Sequence, residues 1–306
     1  MFRRKLRLLQ SIWTFCRRNQ QSRQQIRKIF TKQFLPSASR WLLLPGAVVS
    51  MRGFTFGMRP SEKEPEATSA SKSPEEKIIE QADELFDKSD TLALYDYLIQ
   101  YKDSSNDELL WRLARAATDK GKLLKDPAKK DYYYEAFKYA KMALEKNPNN
   151  FACHKWYAIL LDYTGEYEGT KQRIANAYEV KEHFLKAVEL NPKDATSVHS
   201  LGYWCFLFAD LPWYQQKIAS VIFTTPPTST YEEALKFFLE AERIDPGFYS
   251  MNTMMLGKTY VRLKENARAI YHLKKVKSFP VKTVDDEKAH KEAAELLRGL
   301  GVHDHD

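Results

Sequence analysis

The sequence predicts an all-α superhelix of paired helices, a solenoid, and three observations carry that expectation. From Pro74 onward each long segment places apolar residues at a 3.6-residue period, with almost no two-residue alternation. A helix that ends in a proline turn recurs as ALEKNPNN, AVELNPKD and AERIDPGF, with a weaker KVKSFPVK, so that prolines fall at 148, 192, 246 and 280. Small residues stand at Ala114, Ala158, Gly202 and Gly257, where two helices must touch.

The first ordered helix is expected to start at Ser73, which can cap it, with Pro74 in the first turn and Glu76 completing a capping box. Second helices then follow a pattern of aromatic and small residues. Tyr231, Ala234, Phe238, Ala241 and Pro246 match the tetratricopeptide arrangement at every offset. Tyr133, Ala136, Ala143 and Pro148 match it well, and Phe184, Ala187 and Pro192 in part. First helices carry the complementary pairs Leu113-Ala114, Tyr157-Ala158, Leu201-Gly202 and Leu256-Gly257, the last followed by Tyr260. From proline to the next small residue the spacing is 10, 10 and 11, so packing between pairs is expected to be regular. From small residue to the following proline it is 34, 34, 44 and 23, against about 24 in an ordinary 34-residue repeat. The extra length is expected as insertions within the pairs, projecting from one side. One is SVIFTTPPTST, where Pro226-Pro227 forbids helix. Thr283 is expected to open a terminal capping helix with Asp285 and Asp286 in its first turn and Gly299 and Gly301 at its stop.

Charge divides the chain. Residues 1–60 hold 13 Lys and Arg and no acid, which leaves 35 basic and 40 acidic residues for 61–306, a body of net −5. A mildly acidic body argues against nucleic acid as a partner. In the leader, Phe2, Leu6, Leu9 and Trp13 recur at helical spacing among Arg3, Arg4, Lys5 and Arg7, and Ile26, Ile29, Phe30 and Phe34 repeat the pattern. That composition fits a mitochondrial transit peptide; a basic arm for a membrane surface or tubulin, or a disordered leader, are the alternatives. Trp41 to Val49 is too short an apolar run to span a bilayer and is broken by Pro45 and Gly46, so no transmembrane span is expected. The division is therefore a 1–60 leader, a 61–73 polar linker, a 74–301 helical domain and a 302–306 tail.

Cys16, Cys153 and Cys205 form no C-x-x-C pair and predict no disulfide framework or zinc site, and Cys153 and Cys205, in strongly apolar helical stretches, are read as buried thiols. No phosphate-binding glycine loop, nucleophile elbow or H-E-x-x-H motif occurs, so the chain is read as non-enzymatic and without a cofactor or metal. His154 beside Cys153 points about 100° away from it on a helix and makes no nucleophile pair. His183 and His199 are read as packing residues, and His303 and His305 as an exposed tail.

The stretches ELLWRLARAA (108–117), IANAYEVKEHFLKAVELNPKDATS (174–197), LPWYQQKIA (211–219), TPPTSTYEEAL (225–235) and MLGKTYVRL (255–263) resemble the regulator of microtubule dynamics family over roughly residues 74–300. The chain looks most like the member that lacks a long transmembrane anchor. The resemblance implies association with microtubules or tubulin and with spindle poles, in cytoplasm or spindle, and a tie to mitochondria in several members. A related member tethers endoplasmic reticulum to mitochondria through a repeat domain that binds phospholipid. That role is the alternative: a mitochondrial or organelle contact-site scaffold. On the tetratricopeptide register the concave face comprises Glu108, Trp111, Arg115, Lys155, Tyr163, His199, Tyr203, Lys258 and Arg262. The expected groove is basic and aromatic, suited to an acidic peptide or a lipid phosphate. Its ninth positions, Arg115, Ile159, Tyr203 and Lys258, lack the asparagine of a carboxylate clamp. The alternative is that Trp111 and Tyr203 are core and the charges an ordinary solvated face.

Overall fold

The structure, a computed structural model, describes residues 72–302. The leader, nearly all of the linker, Cys16 and the tail histidines, with the expectations placed on them, lie outside the described residues. The chain divides into two compact units at Lys77; of the first only the opening turn of the first helix is described, and the architecture below is that of the second.

Twelve α-helices make up the described residues, among which there is no strand. They are α1 (Pro74–Asp87), α2 (Thr91–Leu98, continued by a 3-10 turn), α3 (Asp107–Lys122), α4 (Ala128–Lys146), α5 (Phe151–Glu168) and α6 (Thr170–Leu190). Then come α7 (Ala195–Ala209), α8 (Trp213–Ile222), α9 (Tyr231–Ile244), α10 (Ser250–Arg262), α11 (Asn266–Val276) and α12 (Val284–Gly299). The pairs α3/α4, α5/α6, α7/α9 and α10/α11 pack most extensively, each against its own partner. α12 covers α10 and α11, and α8 rests on α6.

Local chemistry sets the boundaries. Ser73 and Glu76 exchange the two bonds of a capping box, 2.7 and 3.2 Å long. Asn106, Asn150 and Asp194 cap α3, α5 and α7 with side-chain oxygens, and Thr283 with Asp286 boxes α12. The proline turn is built three times in one conformation. Asn147, Asn191 and Asp245 have φ of −141°, −137° and −141° with ψ of 90°, 88° and 93°. Each precedes a proline, whose ring excludes the helical region for the residue before it, and each donates its N–H to Ala143, Ala187 or Ala241 four residues back.

The small positions sit where the register requires. Ala114 and Ala158 are fully buried, and the two glycines mark the closest approaches. A Cβ on Gly202 would lie 3.0 Å from the Phe238 ring of α9, and one on Gly257 would lie 2.6 Å from Leu273 Cγ of α11. Ala136, Ala143, Ala187, Ala234, Phe238 and Ala241 of the second helices are all solvent-excluded. Cys153 and Cys205 are buried free thiols.

The expectation of looped insertions in every long pair is corrected. α3 and α4 run 16 and 19 residues and α5 and α6 run 18 and 21, against 13 and 11 for α10 and α11. Only Gly169 separates α5 from α6. The added residues include no proline within a helix, so they extend the helices even through Gly121 and Gly165. A true insertion occurs in the third pair alone: α8 and the non-helical 223–230 that holds Pro226-Pro227. It is held down by Tyr178 Oη, which donates to Thr225 O at 2.6 Å, and by the Phe223 ring on Tyr178 at 4.9 Å.

Gly257→Val should lower unfolding stability by about 1–3 kcal/mol, because Leu273 has no room to withdraw. Gly299→Ala, at a site with nothing within 4 Å, should change it by under about 1 kcal/mol in the stabilising direction. Urea titration of the two variants checks both.

Candidate binding groove

The nine expected groove residues lie on the four first helices: Glu108, Trp111 and Arg115 on α3, Lys155 and Tyr163 on α5, His199 and Tyr203 on α7, Lys258 and Arg262 on α10. The fold gathers them into a cluster at the amino-terminal end and a polar seam running to α12.

In the cluster, Glu108 is held by Trp111 Nε1 at 2.9 Å, Arg112 Nη1 at 2.5 Å and Asn150 Nδ2 at 2.6 Å. Arg112 also grips Asp83 of α1 with two bonds of 2.9 and 2.7 Å. Arg115 stacks over Phe86 with its Cζ 3.6 Å from the ring centroid, and lies 5.2 Å from Trp111. Its nearest carboxylate, Asp83, is 3.6 Å away, and among the described residues its buried Nε and Nη2 have no hydrogen-bond partner. Burial pulls this guanidinium down to about 10. Lys155 pairs with Asp194 at 3.0 Å, and burial nonetheless holds it below the usual lysine range.

In the seam, Lys122 at the end of α3 bonds Asp119 at 3.1 Å and Asp285 of α12 at 2.9 Å. Tyr249 Oη donates to the same Asp285 at 3.0 Å, and Ser250 Oγ to Asp286 at 2.6 Å. Burial opposes the charge on both members of the Lys122–Asp285 pair; Asp119, Tyr163 and Asp285 together outweigh it for the lysine and raise it well above its ordinary value, and Lys122 outweighs it for Asp285 and lowers the aspartate below its own. Tyr163 stacks on Tyr133 at 5.1 Å, and burial pushes its hydroxyl up to about 12. Lys258 is bonded to Glu292 of α12, and Arg262 lies 3.0 Å from Asp210. Tyr203 stacks on His199 at 6.5 Å.

Sequence reasoning missed the partners. Asp83, Asp194, Asp210, Asp285 and Glu292 neutralise the groove cations from α1, the α6–α7 turn, the end of α7 and α12. It also missed a histidine pair, His154 Nδ1 to His183 Nδ1 at 2.7 Å. The His154 Nε2 must donate to Pro148 O, 2.8 Å away, so its Nδ1 accepts and His183 donates. His199 Nδ1 donates to Asn252 Oδ1 at 2.9 Å. Burial lowers His154, and lowers His183 and His199 to about 4, so the three are neutral near pH 7. Burial and Asp107 push the Cys153 thiol far up, and burial takes Cys205 up to about 11, which removes thiolate chemistry. Among the described residues no group of three or more His, Cys, Asp or Glu is placed to hold a metal, and no helix is long and apolar enough to cross a membrane.

Helix pairs closed at small residues and lined inside by matched polar side chains define a helical-repeat protein of the tetratricopeptide class. A thermophilic tetratricopeptide protein of Thermus thermophilus shares the fold at a TM-score of 0.52 and 13% identity, covering 73% of this chain and 99% of its own. The family model described as regulator of microtubule dynamics protein 1-3 matches residues 78–301. The chain is 54% identical over 227 residues to regulator of microtubule dynamics protein 1 of Mus musculus, covering 74% of each. It is 35% identical over 229 residues to protein 3 of the same species, covering 73% of this chain and 49% of that one. The chain belongs to the regulator of microtubule dynamics family.

Lys122→Met should cost about 1–3 kcal/mol, because Asp119 and the half-buried Asp285 lose their shared cation and Asp285 keeps only the bond from Tyr249. Adding Asp285→Asn should recover part of that loss in a double-mutant cycle read by urea unfolding.

Stability should also fall on acidification. The histidines bind protons more weakly folded than unfolded, so their contribution is complete above about pH 6.5 and is lost as the pH approaches about 4. Asp285, depressed in the fold, adds a further loss below the ordinary carboxylate range. Thermal melts between pH 7.5 and 4 should show a steady drop in Tm.

Proposed function

We propose that this chain is a non-enzymatic scaffold that associates with microtubules and influences their dynamics, and that its basic leader addresses it to mitochondria. The observation that carries the reading is the 54% identity of its helical body with a protein named for regulating microtubule dynamics. The repeat fold suits binding, and the ionisable groups of the groove are engaged with one another in a way that positions no acid, base or nucleophile. The leader has the arginine-rich, acid-free composition of an import signal.

A second reading rests on one feature of the groove. Arg115, buried with two donors unused, suits the phosphate of a phospholipid or the carboxylate of an acidic partner segment, as an organelle contact-site scaffold would need.

One experiment separates the readings. The full chain and a form lacking residues 1–60 are each pelleted with microtubules, floated with phosphatidylserine vesicles, and imaged as fluorescent fusions. Both forms should pellet with microtubules, and only the full chain should concentrate on mitochondria. Flotation of both forms with neither pelleting would replace the microtubule reading by the lipid one.

A further inference from the structure

The acidic character of the body is not shared by its last helix pair. Residues 261–284 hold seven Lys and Arg and one acid, Glu265, whereas the rest of 61–306 holds 28 basic and 39 acidic residues, 35 − 7 and 40 − 1. From Asn266 to Val284 there is no carboxylate. A net +6 segment thus sits in surroundings of net −11.

The fold turns this segment outward. α11 buries Ala269, Leu273 and Val276, which leaves Arg268, Tyr271 and Lys274 exposed, and the turn to α12 adds Lys277, Val281 and Lys282, also exposed. Tyr271 is 66% accessible and Val281 53%. Arg268 bonds Glu265 at 2.9 Å with the arginine largely and the glutamate partly in solvent, a pairing that water and salt weaken. Cations in a last helical turn complement the helix dipole, which applies to Lys274 and Lys275, the latter also bonded to Glu242 at 2.8 Å; the carboxylate-free run continues beyond that turn through Lys277 and Lys282, with an exposed tyrosine among the cations.

We propose that the outer face of α11 and the turn that follows it form the docking surface of the helical body for an acidic protein surface, that of the microtubule; the inference rests on the microtubule reading above. Charge selects this face. An acidic polymer is attracted by this +6 segment and repelled by the net −11 of the remaining body, so steering biases the orientation of approach as well as its rate. Tyr271 supplies an amphipathic contact at the centre of the patch. The geometry favours a protein over a bilayer, because a helix that lies in a membrane inserts an apolar stripe, and the apolar stripe of α11 already packs inside the fold.

The test uses the full-length chain and its K274E/K277E/K282E variant. All three lysines are exposed, so the variant should stay folded with a melting curve lowered only slightly by the acid placed in the last turn of α11, and a K274Q/K277Q/K282Q variant, which adds no acid, should lose binding in the same direction. Microtubule affinity should fall by about tenfold or more, and the wild-type affinity should weaken with added salt. Carbodiimide cross-linking, which joins lysine amines to carboxylates, should map wild-type contacts with tubulin to Lys274, Lys277 and Lys282. Equal binding by the variant, with cross-links confined to the leader or the inner groove, overturns this docking face and leaves the microtubule reading standing. Failure of the wild type to pellet overturns both, and so does capture of the wild type by phosphatidylserine vesicles but not by microtubules.

Discussion

Each first helix touches its partner at a residue with almost no side chain, and that closeness governs the rest of the body. At Gly257 the neighbouring Leu273 occupies the space a methyl group would need, and at Gly202 the Phe238 ring does the same. Contacts this tight fix the rotation of each first helix about its own axis. The inward side chains are then placed by the register, and the identical turns at Asn147, Asn191 and Asp245 carry that register from one pair to the next.

The polar interior follows from the same placement. Lys122, Lys155 and Lys258 each meet a carboxylate from another part of the chain, and the histidines are kept neutral by burial. Such pairs hold position more than they add net stability, since the gain in attraction is offset by the loss of hydration. Arg115 is the exception, stacked between aromatic rings with part of its hydrogen-bonding capacity unmet.

Much of the fold was legible because its signals are local. The proline turns, the small residues and the Ser73 and Thr283 caps each depend on neighbours within a few positions, and the structure has them where spacing placed them. The long pairs were misjudged because spacing counts residues, whereas rise per residue differs between helix and loop. Of the groove, its residues could be assigned to helices but their partners could not. Asp83 meets Arg112 across 29 positions and Asp285 meets Lys122 across 163, distances over which no periodicity operates. The His154–His183 contact was hidden for the same reason, its members belonging to different helices.

The bond from Lys122 to Asp285 joins the first full pair of the array to its final helix. An open solenoid can gain or lose a unit by duplication or deletion, since each unit answers only to its neighbours. Here a unit added between them would carry Lys122 out of reach of Asp285 and leave Asp119 and Tyr249 as their remaining partners. The clasp thus ties the number of units to the span between its two ends, a constraint that a repeat array closed only by neighbour contacts does not have.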